Sequence, residues 1–244
     1  MRPHVGTLAL AAACSLALAG SPARADFSPY VRFDYGSGQF KMTDGNALVQ
    51  QWKDSFQSQG LPADFHHVPP GQGPSGSLGV WLLPDFRIGA TYSHLRSMPS
   101  YRVHVPGQYF FEDDLDFRMT EIGGEAAVRF HRLHGLTFGG NVARGKAEMF
   151  EGYAEENVSS QTYEDASAHG RVTTVGGFIG LDQTNEKGVA GYMLVGYQRR
   201  WIGTLPSEVT MSDGVTTTQG TARTIPLDYS GVYFKVGVGF DIAH

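Results

Sequence analysis

Ser167-Ala168-His169 sets a hydroxyl and an imidazole two residues apart. On a strand, residues i and i+2 leave the same face, so the imidazole could take the hydroxyl proton and make a nucleophile. Glu164, three residues earlier, is a candidate to orient the ring. The chemistry implied is ester hydrolysis, although no oxyanion donor is visible nearby and such pairs recur by chance. Ser93-His94 are adjacent and would face opposite ways, so they fail the same test. For metals, His66-His67 stand in a Pro/Gly-rich stretch, and His131 and His134 flank Arg132 in a short turn. Glu112-Asp113-Asp114 and Asp116 supply the oxygens calcium takes, but without the glycine-spaced loop of a dedicated site. These groups read as solvated charge, so no metal and no other cofactor is expected. No glycine loop between strand and helix offers a phosphate cradle.

A larger set of charges recurs at alternate positions in apolar segments: Arg32, Asp34, Arg87, Glu121, Glu125, Arg129, Arg200, Lys235 and Asp241. The segment YSGVYFKVGVGFDIAH shows the pattern most clearly. Val232, Phe234, Val236, Val238, Phe240 and Ile242 occupy one register. Tyr229, Gly231, Tyr233, Lys235, Gly237, Gly239 and Asp241 occupy the other. A period of two is the signature of a strand with unlike faces.

Seven more segments repeat it, at 29–40, 75–83, 86–94, 121–131, 135–144, 171–182 and 189–201. Val31, Phe33 and Tyr35 oppose Arg32 and Asp34; Leu78, Val80 and Leu82 oppose Ser77, Gly79 and Trp81. Ile88 opposes Arg87, Val128 opposes Arg129, and Phe138 opposes Thr137. In 171–182, Val175, Ile179 and Leu181 form the apolar set, and in 189–201 Gln198 and Arg200 mark the polar one.

The connections alternate in length. Turns at 83–86, 131–135 and 182–188 are short; 41–74, 98–114, 145–170 and 202–228 are long and rich in Gly, Ser, Thr, Pro and acid. Ala47 to Phe56 reads as a short helix within the first long loop, and YRVHVPGQYFF (101–111) as a hairpin extending past the rest, which leaves ten strands as an alternative to eight. The acidic stretch FEGYAEEN (150–157) reads as an external loop able to meet divalent ions.

The chain opens with Arg2, an apolar run from Val5 to Ala19, and Ala23-Arg24-Ala25, the form of a secretory signal peptide cut after Ala25. Residues 1–25 are therefore expected to be removed, leaving 26–244 as one domain. Cys14 falls within the leader, and Ala11-Ala12-Ala13 before it is a poor lipoprotein signal, so no disulfide is needed. Beyond the leader, 17 basic residues face 24 acidic ones, which argues against nucleic acid as a partner. Mean hydropathy is −0.22, as expected when half the residues of each membrane strand face a polar interior. The 32 glycines are about twice the usual share, a content closed sheets use at bends and close contacts.

Long connections alternating with short ones, on strands of nine to twelve patterned residues, predict an all-β fold. The expected form is a closed antiparallel up-and-down transmembrane β-barrel of about eight strands, with short periplasmic turns and long extracellular loops. Closure is required because an open edge in hydrocarbon leaves backbone groups unpaired. Val31, Phe33, Leu78, Val80, Ile88, Val128, Phe138, Val232, Phe234, Val236, Val238 and Phe240 then face lipid. The charged register faces the lumen as a ladder of ion pairs, with Arg32 or Asp34 meeting Lys235 or Asp241 where first and last strands adjoin. A soluble secreted barrel or sandwich would also alternate, with its apolar face inward. Three features favour the membrane: small residues accompany the charges, the loop asymmetry is regular, and Tyr30, Tyr35, Phe86, Tyr92, Phe130, Trp201 and Phe240 lie near strand ends, where an interfacial girdle belongs.

The leader, the eight alternating segments and the aromatic C-terminal strand resemble the small eight-stranded outer membrane proteins, the group of the OmpA transmembrane domain and the opacity-type barrels. The resemblance spans nearly all of 26–244 and is one of pattern. It implies a Gram-negative-type outer membrane, both termini in the periplasm, contact with membrane lipids including lipopolysaccharide, and delivery by the barrel-assembly machinery. That machinery reads a terminal aromatic in such proteins; here Phe234 and Phe240 keep the alternation, but the chain ends on His244. Some lipid A-trimming outer membrane barrels use a Ser–His pair two apart, in the reverse order of Ser167 and His169. Three functions follow: a surface protein with a plugged lumen whose four loops serve envelope structure, adhesion or recognition of an unidentified ligand; a small gated pore; or a lipid-directed hydrolase.

Overall fold

The structure is a computed structural model; residues 27–38, 43–158, 160–202, 205–212, 217–225 and 229–242 are described. The leader expected at 1–25, Cys14 within it, and His244 lie outside them.

Among the described residues eleven strands form one sheet, and eight of them close into a ring. These are β1 (Ser28–Gly38), β2 (Gly71–Leu83), β3 (Phe86–Ser97), β5 (Tyr109–Phe130), β6 (Leu136–Asn157), β7 (Gln161–Thr184), β8 (Val189–Ile202) and β11 (Gly231–Asp241). Each pairs antiparallel with its neighbour in sequence around the ring, and β1 with β11 closes it, Phe33 opposite Val238 and Asp34 opposite Gly237. The eight-strand reading is therefore the right one. The remaining strands β4 (Ser100–Val105), β9 (Leu205–Ser212) and β10 (Thr217–Ile225) lie outside the ring at the long-loop end. There β4 pairs with the start of β5, and β9 joins β7 to β10. An α-helix, α1 (Thr43–Ser58), lies between β1 and β2.

At the opposite end the connections are tight. Gly135 (φ 79°) follows His134 (φ 55°) in the β5–β6 turn, a backbone that glycine adopts freely. Gly188 (φ 77°) does the same for β7–β8.

Two sequence expectations are corrected at the long-loop end. The stretches 98–114 and 145–170 are mostly strand: β5 and β6 run 22 residues and β7 24, well beyond the ~9–11 that span a bilayer. The acidic stretch 150–157 is the top of β6, not a loop. The helix also extends further in both directions than Ala47–Phe56. The reason is a reversal of polarity along the same strands. Near the turns, β5 carries Ile122 and Phe130 outward and Glu121 and Arg129 inward. Further along, Phe111, Phe117 and Met119 point inward and are buried, while Asp114 and Arg118 look outward. On β6 the outward Phe138 and Val142 give way to outward Arg144 and Lys146, with Ala147 and Met149 buried inside. The alternation persists while its sense inverts, so a search for apolar-out segments ends at the crossing point.

Above the crossing the interior is apolar around two clusters, and takes in the carboxylates Asp113, Glu151 and Glu164 beside them. Leu95, Phe117, Met119, Ala147, Met149, Ala168, Val172 and Tyr229 pack as one cluster. A second, of Val49, Ala63, Phe65, Tyr101, Val103 and Phe111, is roofed by Trp52 and Phe56 of α1. Trp52 meets Tyr101 and Phe111 edge-on, at ring separations of 6.4 and 6.1 Å. The helix sits there because Val49, Trp52 and Phe56 recur at spacings of three and four, one face of a helix.

Candidate lumen site and membrane surface

The lumen charges assemble in layers. Nearest the short turns, Arg32 Nη1 lies 2.7 Å from Asp241 Oδ1 and its Nη2 3.5 Å from Asp182. Arg87 donates to Asp182 and lies 3.5 Å from Glu125. Arg129 Nη1 stands 3.8 Å from both Asp182 and Asp241 and donates to Thr184 Oγ1 at 2.9 Å. Trp81 Nε1 and Thr184 Oγ1 also donate to Asp241, at 3.2 and 2.8 Å. The Trp81 ring lies beneath Arg129 at 4.0 Å, and the Tyr30 ring beneath Arg32 and Arg87 at 5.3 and 5.4 Å. Three guanidiniums thus meet three carboxylates, Asp182, Asp241 and Glu125, and the aromatic faces add further negative potential.

This packing needs room that only glycine gives. A Cβ on Gly239 would fall inside the Arg32 side chain, and one on Gly237 would meet the Tyr192 ring and the Phe33 carbonyl.

The next layer holds Asp34, which lies 3.4 Å from Lys235 Nζ and accepts from Tyr192 (2.7 Å) and Ser75. Above it, Arg200 Nε lies 3.5 Å from Glu121, which also accepts from Thr174. Arg200 donates to the Tyr229 carbonyl at 2.6 Å and to Gln198. Between these layers is a cavity of about 20 Å³ lined by Ser75, Ser93, Gln198, Arg200 and Lys235, room for roughly one water. All nine charged residues singled out from sequence therefore point into the lumen and take part in ion pairs.

Sequence reasoning misses Asp182, fully buried and shared by three arginines. Its parity is a usable signal, since the outward Val175, Ile179 and Leu181 place it inward, but it also opens the short turn and reads as part of it. Tyr30 is expected in an interfacial girdle; it is 1% exposed and belongs to the lumen, because it shares the parity of Arg32. Tyr35, Tyr92, Phe130, Trp201 and Phe240 do face outward.

On the outer face Phe33, Leu78, Ile88, Phe138, Val232, Phe234, Val236, Val238 and Phe240 are exposed, between 40 and 63%. Val31, Val80 and Val128 share their outward register and are half-buried.

The hydrolase constellation does not assemble. Ser167 and His169 lie on the outward face of β7, opposite Phe150 and Glu148 of β6. No hydrogen bond joins them among the described residues. Glu164 has the other parity and points inward with Ala166 and Ala168, because an odd separation on a strand reverses the face. The candidate metal ligands are dispersed in the same way. Glu112 pairs outside with Arg102; Asp116 is held by Arg96 (2.8 Å to Nε) and Arg118; Asp113 is buried inside. His66 and His131 are exposed beside Asp64 and Asp85. Among the described residues no group of three metal-binding side chains converges.

Two carboxylates in the long-loop end differ sharply. The Arg96 and Arg118 hydrogen bonds hold Asp116 down at about 2, against the effect of burial. Burial, then the charges of Glu151, Asp114 and Glu164, push Asp113 up to about 8. Glu151 is likewise raised, by burial and by Glu164. Among the described residues neither carboxylate oxygen of Asp113 has a hydrogen-bond partner, and the buried Tyr101 hydroxyl nearby has none.

No family model and no curated protein matches this chain. Solved structures do. A major outer membrane protein from Thermus thermophilus superposes with a TM-score of 0.50 at 7% identity, over 87% of this chain and 98% of that one. Acinetobacter baumannii CarO gives 0.37 at 15% identity over 69% and 92%. Neisserial surface protein A gives 0.37 at 13% over 88% and 96%. At such identities the similarity is one of fold. Taken with the closed eight-strand ring and its apolar outer belt, the likeness to the Thermus thermophilus protein leads to one conclusion: this chain has the fold of the small outer membrane β-barrel proteins.

Proposed function

We propose that the chain is an outer membrane protein with a sealed lumen that displays a folded head above the membrane, and that it works through that head rather than by conduction or catalysis. The single observation carrying this reading is the filled interior. Ion-paired layers from Arg32 to Glu121 block the axis, and the apolar cluster around Met119 and Met149 closes what lies above. A permeant ion would have to displace arginines whose desolvation is already balanced by aspartates, and then cross a dry plug. In this orientation the short turns and both chain ends face the periplasm, and residues 1–25 are the removed leader. The head, built from α1, β4 and the tops of β5, β6 and β7, is the part available for adhesion or ligand recognition. The test is conductance of the purified chain in planar bilayers. A persistently closed membrane is expected, at neutral pH and under applied voltage; reproducible single-channel steps would overturn the sealed-lumen reading in favour of a small pore.

A further inference from the structure

Four outward residues at the crossing point of β6, β7 and β8 are basic, and two of them oppose each other. Lys146 on β6 pairs directly with Arg171 on β7, and Arg144 stands two residues below Lys146 on the same face. Arg199 on β8 pairs with Val175, two rungs from Arg171 and against the Trp201 ring at 5.4 Å. All four side chains are exposed, and none makes an ion pair or a side-chain hydrogen bond among the described residues. Glu148 shares the face, opposite His169 and Arg118, yet among the described residues it lies within ion-pair distance of no cation. By contrast, Arg96 and Arg118, also opposed like charges, are reconciled by Asp116 between them.

Directly opposed cations on a sheet sit about 5 Å apart at Cβ and destabilise the pair. A strand outside the membrane has no reason to hold that arrangement, and within hydrocarbon it would be worse. Its height explains it. Ten residues separate Leu136 from Lys146, Leu181 from Arg171 and Val189 from Arg199. At about 3.3 Å per residue and a tilt of about 40°, that is a rise of about 25 Å, the height of the apolar band of such barrels. The cations therefore crown the belt, with Val142 two residues below Arg144 on the same face, and with the exposed Ile122 and Val175 directly across from Arg144 and Arg199.

We propose that Arg144, Lys146, Arg171 and Arg199 form a binding face for a doubly phosphorylated glycolipid of the outer leaflet, of the lipid A type. The acyl chains would lie on the belt below and the phosphates among the cations. This rests on the outer membrane reading above. The occupant follows from charge complementarity and from continuity with the lipid-facing surface. A diphosphorylated headgroup tethered by apolar chains satisfies both halves at once, and its phosphates remove the repulsion between Lys146 and Arg171. Arginine suits this use, since its planar fork donates two parallel bonds to a phosphate.

The test uses the full mature chain refolded in detergent, with native mass spectrometry reading bound bisphosphorylated lipid A, the same lipid stripped of phosphate, and inorganic phosphate. The heat-modifiable gel shift of a closed barrel checks folding of each variant. The wild type is expected to bind the bisphosphorylated lipid at least tenfold more tightly than the stripped one. R144Q/K146Q/R171Q should lose at least tenfold, R144Q and R171Q alone a part of that, and R102Q on β4 nothing. Unchanged binding by the folded triple variant overturns the proposal, and so does equal affinity for inorganic phosphate alone, which would mark a free-anion site. Should the triple variant fail to fold, the two single variants decide in the same way. Failure of the wild type to insert into phospholipid vesicles would instead overturn the membrane reading itself, a result the binding comparison cannot mimic.

Discussion

Asp113→Asn should remove much of the pH dependence of this protein's head. Asp113 is fully buried on β5, with Tyr101 of β4 beside it and Glu151 and Glu164 facing it from β6 and β7. Its carboxyl is pushed from the ordinary 3.8 to about 8, so the closed head binds this proton more tightly than the opened one. Stability that depends on the bound proton is complete below about pH 4 and is lost as pH rises towards 8. At pH 7 the loss relative to acid is about 4 kcal/mol, from roughly three pH units at ~1.4 kcal/mol each. Glu151, also raised, adds in the same direction. Opening the head exposes Asp113 without breaking the ring, so the readout is local. Amide hydrogen exchange of β4 and the first residues of β5, corrected for the intrinsic rate, should show protection falling by up to tenfold per pH unit between about pH 5 and 8. Asparagine keeps the shape and a neutral polar group while removing the proton, so in the variant the slope should shrink to what Glu151 contributes and protection at pH 7 should rise. A wild-type head whose protection does not change over that range would refute the reasoning, as would a variant with the wild-type slope.

Asp182→Ala leaves Arg32, Arg87 and Arg129 sharing Asp241 and Glu125. Breaking a buried charge group in this way costs about 3–5 kcal/mol, and the denaturant midpoint of the barrel in lipid should fall accordingly; an unchanged midpoint would mean the lumen charges are solvated. Val236→Arg puts a cation near the middle of the outer belt, opposite Tyr35 and Met193. A cost of about 2–4 kcal/mol is expected there, read as reduced folding into vesicles, with no loss expected in a detergent that lets the side chain reach water.

What the amino-acid order determined by itself was the alternation, and with it the ring. Positions such as Phe234 and Lys235 differ so strongly that one register has to meet apolar surroundings and the other polar ones. The loop rhythm then assigned apolar to the outside, and nine lumen charges could be named. What only the tertiary structure decided concerns where that assignment stops. Met119 and Ile122 are both apolar, yet one is buried in the head and the other looks out on the belt, because the surrounding solvent changes from hydrocarbon to water between them. Composition cannot mark that plane, since a strand alternates equally well on both sides of it. The partners were also beyond reach: Asp182 serves three arginines that stand 50 to 150 residues away in sequence, and only closure of the sheet brings them to one height.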